Sequence, residues 1–108
     1  MVIIVTIANI PYGKEKELAE KYLEVLKKYP LDRSLEKPLL RLGAKATEKG
    51  IEVISITEAK EGKYEELIKR ITNMNLAYSG VPGYYYKIET YLTGAEALPM
   101  IGLSMPEE

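Results

Sequence analysis

The spacing of apolar residues along this chain switches repeatedly between a strand period and a helix period, and each switch marks an element. Residues 2–10 form an apolar, β-branched run that ends at Pro11, a residue unable to donate to a central ladder. From Lys14 the period lengthens: Leu18, Tyr22, Leu26 and Tyr29, with Ala19, Leu23 and Val25 beside them, form one stripe at helical spacing. The opposite face carries Glu17, Glu20, Glu24 and Lys28, and Pro30 stops the helix. A Pro-bounded connection over residues 31–38 leads to a strand over 39–47, a tight turn at 48–50 and a hairpin partner over 51–59. Gly62 opens a second helix with Tyr64, Leu67, Ile68, Ile71 and Met74 on its apolar side, and the glycines at 80 and 83 break it. Residues 84–92 read as the last strand, residues 94–102 as one short helical turn, and residues 103–108 as a tail.

The chain also resembles itself. Gly13-Lys14-Glu15-Lys16-Glu17-Leu18 recurs as Gly62-Lys63-Tyr64-Glu65-Glu66-Leu67, and the same offset lays the first apolar run over residues 51–59. Two copies of one strand–helix unit give the order β-α-β-β-α-β. With right-handed crossovers this predicts an α+β, ferredoxin-like domain: a four-stranded antiparallel sheet with both helices on one face. The expected domain is single, spanning 1–108, with its core in 1–93 and a C-terminal extension over 94–108.

Two helices leave one sheet face bare, yet the central strands are apolar on both sides. Ile3, Val5 and Ile7 alternate with Val2, Ile4 and Ala8, and Ile54 and Ile56 with Ile51 and Val53. Such strands predict cover on both faces, most economically by a second subunit. This order with two-faced central strands resembles the dimeric α+β barrel superfamily over residues 1–93. The resemblance implies a homodimer in which two sheets pack face to face, and a group that includes stress-responsive proteins, small monooxygenases, haem-degrading enzymes, dehydratases and transcription-factor effector domains. The catalytic His of several members has no counterpart here. The chain is also similar to an uncharacterised archaeal family, which brings no function with it.

Composition narrows the chemistry. With no Cys there is no disulfide, thiolate or cysteine metal site, and with no His the commonest metal ligand and general base are missing. No metal site and no cofactor are expected. The net charge of −1 gives no broad attraction to nucleic acid or anionic lipid. RNA-recognition modules share this element order but need aromatics on the central strands, and these strands carry none. No run approaches the roughly 20 apolar residues of a membrane span, and the first residues lack the charged region of a secretory signal. A cytoplasmic protein without a nucleic-acid or membrane partner is the expectation. Absent Gln and Cys beside abundant Glu and Lys resembles the bias of thermophile proteins.

The candidate site residues lie on the outer strands. In the last strand Tyr84, Tyr86, Ile88 and Leu92 suit a core, leaving Tyr85, Lys87, Glu89 and Tyr91 on the other side. In the second, Leu40, Leu42, Ala44 and Ala46 are core-like, leaving Arg41, Gly43 and Lys45. Lined up, these put Arg41, Lys45, Tyr85, Lys87, Glu89 and Tyr91 around an apolar centre, with Thr6, Ser55 and Thr57 adding hydroxyls to its middle. A cavity there between subunits would suit a small organic acid or phenolic ligand, with Arg41 binding a carboxylate. Glu89 or a Lys could act as a base. The same residues equally fit ordinary edge strands protected by charge. Asn9 and Tyr12 fit either a cavity mouth or turn chemistry, and Asp32 and Arg33 a solvated loop pair. The glycines at 80 and 83 and the G-K-x-x-E-L repeat lack the pattern of a phosphate loop. Three functions follow: a ligand-binding or sensory homodimer, a small cofactor-independent enzyme, and a structural assembly module served by the apolar tail.

Overall fold

In the computed structural model, which describes residues 2–106, the expected order holds. It runs β1 (Ile3–Pro11), α1 (Glu15–Lys28), β2 (Glu36–Ala46), β3 (Gly50–Ala59), α2 (Tyr64–Leu76) and β4 (Tyr85–Tyr91). A four-residue helix α3 (Gly94–Ala97) and a 3-10 turn (Leu98–Ile101) follow. The sheet is antiparallel, in the order β2-β3-β1-β4, so the two strands of the repeated units lie at the centre. This is a ferredoxin-like α+β fold. The last two residues of the expected tail lie outside the described residues.

The internal repeat proves to be a shared helix entry. Gly13 and Gly62 both take left-handed backbone, at φ 91° and 75°. Lys14 and Lys63 follow as caps with nearly identical dihedrals, and their carbonyls accept from the amides of Leu18 and Leu67. Those two leucines are the first residues of each helix to reach the interior, at 2% and 0% exposure.

The interior falls into two clusters rather than one. At one end Ile4, Leu35, Ala59 and Leu67 pack with Val2, Ile68, Ile71 and Ile88 around them. At the other, Leu18, Val25, Tyr78 and Val81 pack with Ile10, Tyr22, Tyr29, Met74 and Tyr84. Ile4 and Ile10 have the same parity on β1, so both helices cover the same sheet face. Between them on that row stand only Thr6 and Ala8.

β2 departs from its expected alternation. It starts at Glu36, and its register slips twice against β3, between Pro38 and Leu40 and between Leu40 and Gly43. Leu40 pairs with Ile56 and Gly43 with Ile54, and a Cβ on Gly43 would lie 3.1 Å from Leu40 Cδ2. Leu40 therefore joins Gly43 on the face away from the helices, not Ala44 and Ala46 on the other. Pro38, which cannot donate to the ladder, and the glycine without a side chain are the residues at the slips. The turn after β2 is closed by the Thr47 amide and hydroxyl, both donating to Gly50 O at 2.8 Å.

The C-terminal extension folds back on itself. Thr93 and Glu96 form a reciprocal capping box at the start of α3. A Cβ on Gly94 would lie 2.6 Å from Met105 Sδ, so the chain returns onto α3. Met100 and Ile101 remain largely exposed. Among the described residues no helix is long and apolar enough to cross a membrane.

Candidate functional site

Directly paired residues of an antiparallel ladder share a face, so the register assigns every strand position. The open face, away from the helices, has Ile3, Val5 and Ile7 of β1 at its centre, opposite Glu58, Ile56 and Ile54 of β3 and Tyr91, Glu89 and Lys87 of β4. Tyr85 continues the β4 row opposite Asn9, and Lys45 stands on β2 opposite Glu52. Five of the six predicted site residues thus lie on the open face. They do not converge in one protomer: Lys45 is on one edge strand, the β4 residues on the other, and β3 and β1 lie between.

Their charges are mostly matched. Lys45 Nζ is 3.4 Å from Glu52 Oε2, and Lys87 Nζ is 3.9 Å from Glu89 Oε1. Both lysines are well exposed and both carboxylates partly so, so these pairs contribute little to stability. Tyr85 and Tyr91 are half exposed. Arg41, carried out of register by the slip in β2, sits on the lip of a cleft on the helix side.

Other singled-out residues have structural partners. Buried Asn9 donates from Nδ2 to Gly83 O at 3.2 Å, tying β1 to the loop after α2. The Tyr12 hydroxyl donates to Thr47 O at 2.6 Å. Asp32 engages Ser34 rather than Arg33, accepting from the Ser34 amide at 2.9 Å and hydroxyl at 2.6 Å. Those two bonds hold the Asp32 carboxyl below its usual range.

Sequence reasoning put Thr6, Ser55 and Thr57 in the middle of the open face. The structure places them on the helix side: Ile4, Thr6 and Ala8 pair with Thr57, Ser55 and Val53, and Ile4 packs against α2. There they floor a cleft of about 270 Å3 that separates the two apolar clusters. Leu18, Tyr22 and Leu26 of α1 and Ile71 and Met74 of α2 wall it, while Glu36, Pro38, Arg41 and Arg70 line it toward solvent.

Polar groups in the cleft are few and mostly fixed. Thr57 donates from Oγ1 to Glu36 Oε1 at 2.8 Å. Arg70 lies 5.4 Å over the Tyr29 ring and donates to the Pro30 carbonyl. Asn75 donates to Ile71 O at 2.9 Å and accepts from the Tyr84 hydroxyl at 3.1 Å. The Tyr78 and Tyr84 rings are 5.1 Å apart. Burial pushes the Tyr78 phenol up to about 12, with Tyr22 adding to the rise, and burial raises Tyr84 as well. Among the described residues there is no cluster of three metal-ligating side chains.

No protein-family model matches the chain, and no curated protein is detectably similar to it. Among solved structures it is similar to the de novo designed protein Foldit4, with 16% identity and a TM-score of 0.50 over 85% of this chain and 96% of that one. It also resembles a candidate thiamine biosynthesis/salvage protein from Thermotoga maritima, with 10% identity and a TM-score of 0.39 over 86% and 85% of the two chains. An uncharacterized NIPSNAP domain protein from Burkholderia xenovorans gives 13% identity and 0.42 over 88% and 96%. At these identities the likeness concerns the fold alone.

Proposed function

We propose that this chain is a homodimer that packs its open sheet faces together and binds a small organic acid or phenolic ligand in the space they enclose. Lys45, Tyr85, Lys87, Glu89 and Tyr91 are the groups proposed to meet that ligand; Arg41, on the lip of the helix-side cleft, is not among them. One observation supports the reading above the others. Ile3, Val5, Ile7, Ile54 and Ile56 form a contiguous apolar patch across the two central strands on the face opposite the helices, each partly accessible. Contiguous exposed apolar surface rimmed by charge marks an interaction surface, and the rim pairs Lys45–Glu52 and Lys87–Glu89 keep it near neutral.

Sedimentation velocity at micromolar concentration tests it. The protein should sediment as a dimer, and Ile54→Lys, which puts a charge in the patch, should sediment as a monomer with unchanged circular dichroism. A wild-type protein that runs as a monomer refutes the reading, as does a variant that remains dimeric.

A further inference from the structure

We infer that the helix-side cleft is a second binding site, internal to each protomer, for a small carboxylic acid with an apolar aromatic or acyl body. It does not depend on how the open faces assemble, and the two readings can fail separately.

The cleft follows from which residues occupy the helix-facing rows. On β1 that row reads Ile4, Thr6, Ala8, Ile10, and on β3 Ile51, Val53, Ser55, Thr57, Ala59. Bulky residues at Ile4 and Ile10 join the two clusters, while the centre carries a methyl and hydroxyls. Interiors built for packing alone hold few voids larger than a water. Thr6 and Ser55 face each other across the strands, and neither hydroxyl has a hydrogen-bond partner among the described residues. The two hydroxyls are partly accessible at the floor of the gap, where they can hydrogen-bond to water or to a ligand.

Size and charge select the ligand. About 270 Å3 is just below the common range for small-molecule cavities, roughly 300–1,000 Å3, which suits a small metabolite and excludes a dinucleotide. The walls beside the floor are mainly aliphatic and aromatic, from Leu18, Leu26 and Ile71 to Tyr22 and Tyr78, so the body of the ligand is apolar. Two guanidiniums, Arg41 and Arg70, line the opening against one carboxylate, Glu36, and the Thr57 hydroxyl already engages that carboxylate. Arg70 is held by the Tyr29 ring and the Pro30 carbonyl, with the Asp32 carboxylate within electrostatic reach, and it keeps further N–H donors for an incoming anion. A planar fork fixed in advance is the donor set best matched to a carboxylate.

Amide chemical-shift mapping with octanoate and phenylacetate, each beside its uncharged alcohol, tests the assignment. Both acids should shift the amides of Thr6, Ser55, Thr57 and Ile71. Arg70→Gln should weaken the acids by about tenfold, the loss of a charge-assisted contact, and leave the alcohols unchanged. Ser55→Val, which fills the floor, should abolish binding of all four probes without lowering the melting temperature. If Ser55→Val does not fold, the contrast between acids and alcohols in Arg70→Gln decides alone. Absence of cleft shifts at millimolar probe overturns the proposal, as do equal affinities for acid and alcohol or shifts centred on Val5 and Lys87. Cleft amides that shift on dilution of the protein without any probe would also overturn it, because the occupant would then be a second copy of the chain.

Discussion

Thr6 and Ser55 stand directly opposite each other on the two central strands, on the face that meets the helices, and neither hydroxyl is bonded to another described residue. Both residues are only partly buried where the cleft opens this face, so their hydroxyls stay accessible to water rather than paired within the protein. Thr6→Val keeps the branched shape and replaces the hydroxyl with a methyl. It should raise the unfolding free energy by ~0.5–1 kcal/mol, the usual yield when a position not optimised for stability is filled. Urea denaturation checks this, and a loss of stability would mean that the Thr6 hydroxyl has a structural role.

Because the interior is two clusters with a cleft between them, mutations in one should not sense the other. Ile4→Val removes one methyl from a side chain at 1% exposure and should cost about 0.5–1.5 kcal/mol. Val25→Ala, in the second cluster, removes two methyls and should cost about 1.5–2.5 kcal/mol. The double variant should lose the sum to within about 0.5 kcal/mol. A larger coupling measured by denaturant titration would show that the clusters act as one core.

The strands, both helices and their order were legible because each burial face repeats at its own period, from Leu18-Tyr22-Leu26 to Tyr84-Tyr86-Ile88. Which face of β1 meets the helices was not, since Ile3-Val5-Ile7 and Ile4-Ala8-Ile10 are both apolar. Thr6, Ser55 and Thr57 were assigned to the wrong side for that reason. Leu40 was misplaced because strict alternation cannot register a slip, although Pro38 and Gly43 flag one. The cleft itself was missed because a void is an absence of bulk shared by residues far apart in the chain. Hydroxyls interrupting two apolar rows were the available signal. Arg70 reads as ordinary helix surface until Tyr29 and Pro30 are seen beside it.

The turn between β2 and β3 depends on one glycine more than the helix entries depend on theirs. Gly50 has φ 153°, and a Cβ there would lie 2.3 Å from Ile10 O, a backbone atom of the neighbouring strand. Gly62 has φ 75° and nothing within 4 Å of its Cβ position. Gly62→Ala should therefore cost only the left-handed penalty of about 1–2 kcal/mol. Gly50→Ala adds a clash that can be relieved only by moving β1 or β3, and should cost more than about 2 kcal/mol. Thermal unfolding of the two variants should rank them in that order, and the reverse order would mean that the turn is more adaptable than its register implies.

The buried tyrosines give the protein an alkaline limit. Burial raises the Tyr78 phenol from its ordinary 10.0 to about 12, with a smaller contribution from Tyr22. Tyr84 is raised in the same direction by burial, then by Tyr78 and Tyr86. In the unfolded chain both return to the ordinary value near 10. A folded-state pKa above the unfolded one means that the native state holds its proton more tightly, so the stability tied to these phenols is fully present below about pH 10. It is lost as pH climbs through the folded values, because the unfolded chain ionises first. The tyrosine share is isolated by comparison with the Tyr78→Phe, Tyr84→Phe double variant. The unfolding free energy of the wild type should fall more steeply between about pH 10 and 12 than that of the double variant. Equal slopes, or tyrosinate absorbance from all nine tyrosines emerging near the ordinary value in the folded protein, would show that these two rings are wetter than their packing implies.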